Sequence, residues 1–231
     1  MIEVRRAADR GLTQLDWLKS RHTFSFGDYF DPKHNGFSVL RVINDDWVSP
    51  GRGFATHSHA DMEIVTYVLE GAVEHRDSLG TRSVIPAGDV QRMTAGTGIT
   101  HSEFNPSQSA PLHFLQIWIL PERRGLTPGY QQKSLGQTLP GQLALVASHA
   151  GGNGALIVHQ DVDLYAGRVG PSDSIVHRLR PERRAYAHVA LGKVALNGVA
   201  LAEGDGAQLA GEARVEFANG SGAEVLLFDL P

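Results

Sequence analysis

The sequence contains no cysteine in 231 residues. This absence excludes disulfides, thiolate metal ligands and thiol nucleophiles, so any bound metal must be held by nitrogen and oxygen donors. An excess of positive charge is also missing, because 21 Lys and Arg stand against 25 Asp and Glu and the formal net charge is −4. Direct binding of a nucleic-acid backbone is therefore not expected.

Long apolar segments are missing as well. No run approaches the roughly 20 residues that a membrane-spanning helix needs. The first residues, MIEVRRAADRGL, lack the apolar centre of a secretory signal peptide. The sequence therefore predicts a cytoplasmic protein without membrane association, and the lack of cysteine fits a reducing compartment.

The chain is rich in glycine, with 26 residues placed between short stretches of β-branched and aromatic residues. Such stretches are typical of β-strands separated by tight turns. Clear examples are residues 36–43, 62–69, 112–120 and 223–230. The pattern predicts an all-β fold of the sandwich or barrel type. Only residues 12–20 are a candidate for one short helix or turn.

The two halves of the chain resemble each other. Residues 64–73, IVTYVLEGAV, are echoed by residues 185–194, AYAHVALGKV, and a Gly-Asp pair follows each of them. Between the halves, residues 121–141 are polar and rich in Gly and Pro, which is typical of a boundary. We therefore predict a duplicated barrel with an N-terminal domain at 1–132 and a C-terminal domain at 133–231.

Two short motifs, His57-Ser-His59 and His101-Ser-Glu103, carry the strongest chemical signal. Side chains at positions i and i+2 of a β-strand project from the same face. Two strands could therefore direct three imidazoles and one carboxylate to a common point. This donor set suits a divalent transition metal such as Fe, Ni, Cu, Mn or Zn, and it leaves positions open for water, dioxygen or a substrate.

Glu63 leaves two interpretations open. In a regular strand it would share a face with His59 and lie near the metal, whereas the favoured alternative is a structural, hydrogen-bonding carboxylate. The other histidines lack ligand spacing, and surface or loop positions are expected for most of them. His113, within an apolar strand, is expected to be a hydrogen-bonded core histidine. Those given surface or loop positions are His22, His34, His75, His149 and His159.

The same residues lie in segments that resemble the two motifs of the cupin superfamily. Gly51-x5-His57-x-His59-x3-Glu63 is similar to the first motif. Gly80-x5-Pro86-x-Gly88, followed by His101-x3-Asn105, is similar to the second motif with an expanded middle. Gln91 stands where the second motif ordinarily has its histidine. The expansion resembles the pirin branch of the cupins, as do residues 22–29, 40–45, 66–71 and 93–98.

The resemblance is greatest to bacterial pirin-like proteins with quercetin 2,3-dioxygenase activity. It implies a bicupin, with two tandem cupin-type β-barrels of jelly-roll-like form. Carried over by position, the metal ligands are His57, His59, His101 and Glu103. Arg178 and Arg180 fall at the positions in the second half that correspond to His57 and His59, so that domain is expected to lack metal ligands, because guanidinium groups cannot ligate a metal.

The resemblance also implies a reaction. A flavonol such as quercetin would bind the metal, iron being favoured, and would be opened by dioxygen with loss of carbon monoxide. Glu103 would act as the catalytic base as well as a ligand. The alternative is a non-enzymatic, redox-sensing regulator in which the same metal site controls binding to a transcription factor or a metabolic enzyme. The acidic balance favours a protein partner over DNA in that case.

Overall fold

The computed structural model describes residues 1–135 and 141–231, and it confirms the all-β prediction. Two single-turn 3-10 helices, Ala7–Asp9 and Gly152–Gly154, accompany the strands. No helix in the described part of the chain has the length and apolarity needed to cross a membrane. Of the helix or turn predicted for residues 12–20, the helix is wrong, because residues Gly11–Gln14 and Leu18–His22 form an antiparallel hairpin that reverses direction at residues 15–17.

The strands in chain order are β1 (Ile2–Arg5), β2 (Gly11–Gln14), β3 (Leu18–His22), β4 (Leu40–Val48), β5 (Gly53–His59), β6 (Glu63–Glu70), β7 (Ala72–Asp77), β8 (Arg82–Pro86), β9 (Asp89–Thr94), β10 (Ile99–Phe104), β11 (Leu112–Ile119), β12 (Gly129–Ser134), β13 (Leu143–Ser148), β14 (Leu156–Ile157), β15 (Asp163–Val169), β16 (Ser174–Arg178), β17 (Arg184–Leu196), β18 (Val199–Ala202), β19 (Gly206–Ala210) and β20 (Arg214–Leu230).

The chain divides into two compact units. The N-terminal unit comprises residues 11–135 and 156–160, and the C-terminal unit comprises residues 1–10, 141–155 and 161–231. Each unit is discontinuous in sequence, so one cut does not separate them and the boundary between 132 and 133 stays a prediction. Of the polar segment predicted at 121–141, residues 136–140 lie outside the described residues.

The C-terminal unit is built around two long strands, β17 and β20, which pair with each other. The sheet continues from β17 to β19 and β1 on one side and from β20 to β15 and β13 on the other. Its core is formed by alternating buried side chains such as Val189, Phe217, Val225 and Leu227. Register shifts in the β17–β20 pair bend these strands.

The N-terminal unit contains two antiparallel sheets. One has seven strands in the order β12-β9-β6-β11-β4-β3-β2, and the other has four in the order β5-β10-β7-β8. The interior strand β6 is largely apolar without alternation, and Ile64, Val65, Tyr67 and Val68 are all buried. A strand of this kind is covered on both faces.

The apolar core of the N-terminal unit lies between its two sheets. Val73 and Ile85 of the four-stranded sheet pack against Val68, Leu112 and Phe114 of the seven-stranded sheet. Beyond this core the interior becomes polar, because Glu103 of β10 is hydrogen-bonded to Thr66 of β6 and Gln91 of β9. The functional side chains are therefore held between two packed sheets.

A β-bulge shapes the strand that carries the first histidines. His57 pairs with His101, but Glu103 pairs with Phe54, so β5 has one residue more than β10 between these two pairs. The extra residue lets Phe54 and His57 face the same cavity despite their odd spacing. A Cβ atom on Gly53 would collide with the backbone of Glu103 and Phe104, so glycine permits the close approach of the two strands there.

Candidate metal centre

Adjacent strands β5 and β10 bring three histidines together. In the antiparallel register His101 lies opposite His57, and Ile99 lies opposite His59. The ring centroids are 4.5 Å apart for His57 and His101, 4.8 Å for His57 and His59, and 5.0 Å for His59 and His101. One ring nitrogen from each residue lies within 4.8 Å of the others, as a shared metal ion requires.

The orientation of His57 is fixed by its own strand. Its Nδ1 is 2.8 Å from the backbone oxygen of Ala55, so Nδ1 carries the proton and donates it to that carbonyl. The tautomer leaves Nε2 with a free lone pair. A hydrogen bond from the second ring nitrogen to a carbonyl is the usual support for a histidine that ligates a metal.

His101 is the most enclosed of the three. It is buried, and neither of its ring nitrogens has a hydrogen-bond partner among the described residues. Buried polar atoms are nearly always satisfied, so these two nitrogens indicate a missing partner. A metal ion would satisfy one of them, and the residues present therefore fit a metal.

The electrostatics keep two of the imidazoles, those of His59 and His101, uncharged. Burial lowers the pKa of His101 to about 3, and the neighbouring His57 and His75 contribute to the same shift. Burial also lowers the pKa of His59 to about 4, with further lowering by His101 and His57. Both rings are neutral at neutral pH, which is the form in which an imidazole nitrogen binds a metal.

Glu103 is held rigidly next to this triad. Its Oε1 accepts hydrogen bonds from Thr66 Oγ1 and Gln91 Nε2, both at 2.9 Å, and its Oε2 accepts one from Gln116 Nε2 at 2.6 Å. All four side chains are buried. Three donors from the opposite sheet thus fix the position of one carboxylate.

The metal-capable side chains form two overlapping groups that share His101. The first contains His57, His59 and His101, and the second contains His75, His101 and Glu103. Glu103 is thus grouped with His101 but not with His57 and His59. Of the residues predicted from the sequence, the three histidines converge, and the carboxylate lies beside the most buried of them.

His75 is one of two histidines whose positions were predicted wrongly from the sequence, the other being His22. A surface or loop position was expected, whereas the side chain is fully buried with its ring centroid 5.4 Å from that of His101. Its Nε2 lies 3.0 Å from Oδ2 of Asp77. Burial raises the pKa of Asp77, but hydrogen bonds from His75, Thr81 and Leu79 outweigh this effect, and the net shift is downward. The signal that could have found His75 is the His-Arg-Asp spacing, which repeats the i, i+2 pattern.

A cavity of about 240 Å³ lies beside the histidines. Its lining includes His57, His59 and Glu103, so a molecule in the cavity would contact the candidate ligands directly. The rest of the lining contains both apolar and polar side chains. The apolar residues include Leu18, Phe26, Phe54 and Trp118, and the polar ones include Ser20, His22, Asn44, Asp46 and Gln116. A surface or loop position was expected for His22, but it is buried and lines this cavity.

Glu63 belongs to a different polar cluster. Strand β5 ends at His59 and β6 begins at Glu63, and Asp61 between them has a positive φ of 50°. The chain therefore turns, and Glu63 does not continue the face of His59. Its carboxylate contacts Thr94 Oγ1 and His159 Nδ1, both at 3.2 Å. Burial raises the pKa of Glu63 against the opposing effects of Arg92, Thr94 and His159.

The C-terminal unit presents a different arrangement at the corresponding strand. Arg178 and Arg180 are exposed, and Leu179 between them is buried. The inward side chains of β16 are those of Ile175 and His177, and Nε2 of His177 is 2.8 Å from Oδ2 of Asp229. Within the described residues, the metal-capable groups contain no member from this unit.

Comparison with known proteins gives matches along the whole chain. Residues 3–119 match the family model described as Pirin, and residues 145–230 match the one described as Quercetinase C-terminal cupin domain. A relative named quercetin 2,3-dioxygenase, from Escherichia coli (strain K12), is 49% identical over 231 residues, which are 100% of this chain and 99% of the relative.

Solved structures agree with these matches. The crystal structure of bacterial pirin YhhW from Escherichia coli, in complex with nickel(II), has a TM-score of 0.96 and 48% identity, covering 100% of this chain and 99% of that chain. Quercetin 2,3-dioxygenase from Acinetobacter baumannii has a TM-score of 0.77 at 22% identity, covering 95% of this chain and 83% of that chain. The second match shows a likeness of fold alone.

Proposed function

Because this chain belongs to the pirin family and has two cupin domains, we propose that it is a metal-dependent quercetin 2,3-dioxygenase. The observation that carries the proposal is the convergence of three imidazoles, of which those of His57 and His59 line a cavity whose walls include both apolar and polar side chains. A flat polyphenol needs both kinds of wall. The full-length similarity to a relative that bears this enzyme name supports the same reaction.

The proposed metal ligands are His57, His59, His101 and Glu103. The histidines supply three nitrogen donors, and Glu103 supplies an oxygen donor adjacent to His101. A set of imidazoles and a carboxylate is suited to divalent transition metals. We propose iron as the resident ion, while the relative YhhW has been crystallised with nickel(II).

When bound, the metal would lower the pKa of a coordinated hydroxyl and bring substrate and dioxygen together. The chain itself supplies position and proton transfer. The apolar walls at Phe26, Phe54 and Trp118 would hold the flavonol rings. Glu103 would accept the proton of the 3-hydroxyl group on a carboxylate oxygen, and Gln116 and Gln91 would keep that carboxylate in place. Opening of the heterocycle by dioxygen then releases carbon monoxide.

The test combines metal analysis with turnover. The protein is purified without added metal, its metal is measured by elemental analysis, and quercetin absorbance is followed under air after loading with each candidate ion. We expect His101→Ala to lose turnover to the level of free metal, while His149→Ala, which changes an exposed histidine, retains it. Wild-type turnover no greater than that of free metal would overturn the proposed enzymatic function and favour the alternative, a metal-dependent regulator with a protein partner.

A second variant tests the base. Glu103→Gln keeps the size of the side chain and removes the proton acceptor, so we expect kcat to fall by roughly 10²–10⁴-fold. Glu70→Gln, an exposed carboxylate on β6, is the matched control. Metal content measured on the same samples separates loss of the base from loss of the metal. The proposal also includes a cytoplasmic location, which cell fractionation would test.

A further inference from the structure

Strand β7 places a second pair of functional side chains directly beside β10, on the edge of β10 that does not pair with β5. In the antiparallel register His75 lies opposite Glu103, and Asp77 lies opposite His101. Residues that face each other in such a pair project from the same side of the sheet. His75 and the side chain of Asp77 are fully buried, whereas Arg76 between them is exposed.

Asp77 is fixed by the hairpin that follows it. Its Oδ1 accepts hydrogen bonds from the backbone N–H groups of Leu79 at 2.9 Å and Thr81 at 3.0 Å. Its Oδ2 is 3.0 Å from Nε2 of His75. An ionised carboxylate only accepts hydrogen bonds, so Nε2 of His75 must carry the proton, and Nδ1 of a neutral His75 is left as an acceptor.

Three buried nitrogens then need partners. Nδ1 of His75 and both ring nitrogens of His101 have none among the described residues. The two ring centroids are 5.4 Å apart. Two imidazoles joined by one N–H···N bond have centroids roughly 5 Å apart, since about 3 Å separates the nitrogens and about 1 Å separates each from its ring centre.

We propose that in the metal-bound protein His101 gives one ring nitrogen to the metal and donates the N–H of the other to Nδ1 of His75, a hydrogen bond that the two rings do not make as they stand. The proposal rests on the metal site proposed above. It satisfies all three nitrogens at once, because the metal takes one and the hydrogen bond takes two. Asp77 and His75 are then positioning residues, which fix the tautomer and rotation of a ligand that neither of them replaces.

One rival arrangement uses the same atoms. A nitrogen of His75, a nitrogen of His101 and a carboxylate oxygen of Glu103 lie within 4.8 Å of one another, so His75 could itself ligate a metal. The rings of His57 and His59 are closer to that of His101 than His75 is, at 4.5 and 5.0 Å against 5.4 Å. We therefore favour the metal on the side of His57 and His59.

The variant Asp77→Asn tests the pair. Oδ1 keeps its two bonds from the backbone, so the new NH2 group occupies the place of Oδ2 and donates to Nε2 of His75. That reversal forces the proton of His75 onto Nδ1. Nδ1 can then no longer accept the hydrogen bond from the N–H of His101. With the zinc(II)-loaded protein, we expect long-range ¹H–¹⁵N NMR to show the Nε2–H tautomer of His75 in the wild type and its loss in the variant. Zinc affinity, measured by chelator competition, should fall by about 10–100-fold.

Three further variants complete the experiment. Arg76→Gln, on the same strand but exposed, should retain wild-type affinity. His75→Asn places an amide oxygen near the position of Nδ1 and should bind zinc more tightly than His75→Leu, which offers no acceptor. Melting temperatures of all variants identify any that are misfolded.

The spectra decide between the arrangements. A ¹⁵N shift showing zinc bound to His75 would overturn the proposal, and so would an Asp77→Asn variant with wild-type affinity and an unchanged His75 tautomer. These readouts do not depend on turnover. If the wild type binds zinc with the expected spectra but does not consume quercetin, the proposed dioxygenase function is overturned and the pairing of His75 with His101 is supported. A wild type that binds no metal would overturn both the proposed function and the proposed pairing.

Discussion

Gln91 Nε2 donates a hydrogen bond of 2.9 Å to Oε1 of Glu103. Gln91 occupies the place at which the second cupin motif ordinarily has a histidine, and it is buried on β9, in the sheet opposite Glu103. An amide there cannot act as an imidazole would, but it can fix a carboxylate. At this position the chain therefore has a residue that supports the proposed ligand Glu103 and is not a ligand itself.

Removing that support should weaken the metal centre. Gln91→Leu retains most of the side-chain volume and deletes the donor, while Thr66 and Gln116 still hold Glu103. We expect metal affinity to fall by roughly 10-fold, at the lower end of the effect seen when a partner of a ligand is lost. Chelator competition measures it, and Gln108→Leu, at an exposed loop residue, is the control. Wild-type affinity in Gln91→Leu would show that the bond does not support the ligand.

Metal removal should lower thermal stability. A ligand that binds only the folded state stabilises it by about 2.7 kcal/mol when its concentration is 100-fold above Kd. We therefore expect a chelator to lower the Tm of the wild type by roughly 5 °C or more. His101→Ala should show the same Tm with and without chelator, and His149→Ala should respond as the wild type does. A chelator response that survives in His101→Ala would place the metal elsewhere.

The two buried glutamates of the N-terminal unit, Glu63 and Glu103, should differ in their effect on metal content. Glu63 contacts Thr94 and His159, so Glu63→Gln should retain wild-type metal content. Glu103 is grouped with His101, so Glu103→Gln should lose metal or bind it more weakly. Elemental analysis after dialysis against a weak chelator checks both. Metal loss in Glu63→Gln that matches the loss in Glu103→Gln would contradict the separation.

Asp229 should make the stability of the C-terminal unit sensitive to acid. Burial raises its pKa, but hydrogen bonds from His177 and Arg183 outweigh that effect, so the net shift is downward. A lowered carboxyl pKa stabilises the fold above the ordinary value of about 4 and ceases to do so as the pH falls through the folded value. We expect Asp229→Asn to cost about 3 kcal/mol at pH 7, with the difference shrinking toward pH 3.

The control for that prediction shares the same arginine. Asp161 also pairs with Arg183, but its side chain is 66% exposed. Asp161→Asn should therefore have a much smaller effect, within about 1 kcal/mol. Denaturant unfolding of the full chain at several pH values measures both variants. Equal losses for the two variants would show that burial of Asp229 is not what makes its ion pair matter.

The period of two along a strand predicted that His57 and His59 share a face and that His101 and Glu103 share a face, and the family resemblance joined the two pairs as one ligand set. The period of two could not predict which strand pairs with β10 on its other edge, because cross-strand register depends on the whole hydrophobic pattern and on the turns. His75 was misplaced for that reason. Its spacing to Asp77 repeats the spacing of the proposed ligands, but only the pairing of β7 with β10 shows that His75 and Asp77 lie next to Glu103 and His101.

The limits on the fold prediction have similar causes. The strands with β-branched and aromatic runs were predicted, whereas the hairpin β2–β3 was not, because Leu12, Leu15 and Leu18 have a spacing that also suits a helical turn. Glu63 was left open because a single turn at Asp61 decides its direction. Residues 156–160 belong to the N-terminal unit, and residues 1–10 belong to the C-terminal unit. Sequence order alone does not reveal either assignment.

Asp77 uses one carboxylate oxygen to close a hairpin at Leu79 and Thr81 and the other to hold His75. On the proposed pairing, evolution can adjust the donor strength of His101, and with it the reactivity of the metal, through mutations in a surface turn that never alter a ligand. Closely related chains with identical ligand sets could then differ in metal preference or oxidation behaviour. The residues to compare between such chains are those at 77–81, as well as those around the cavity.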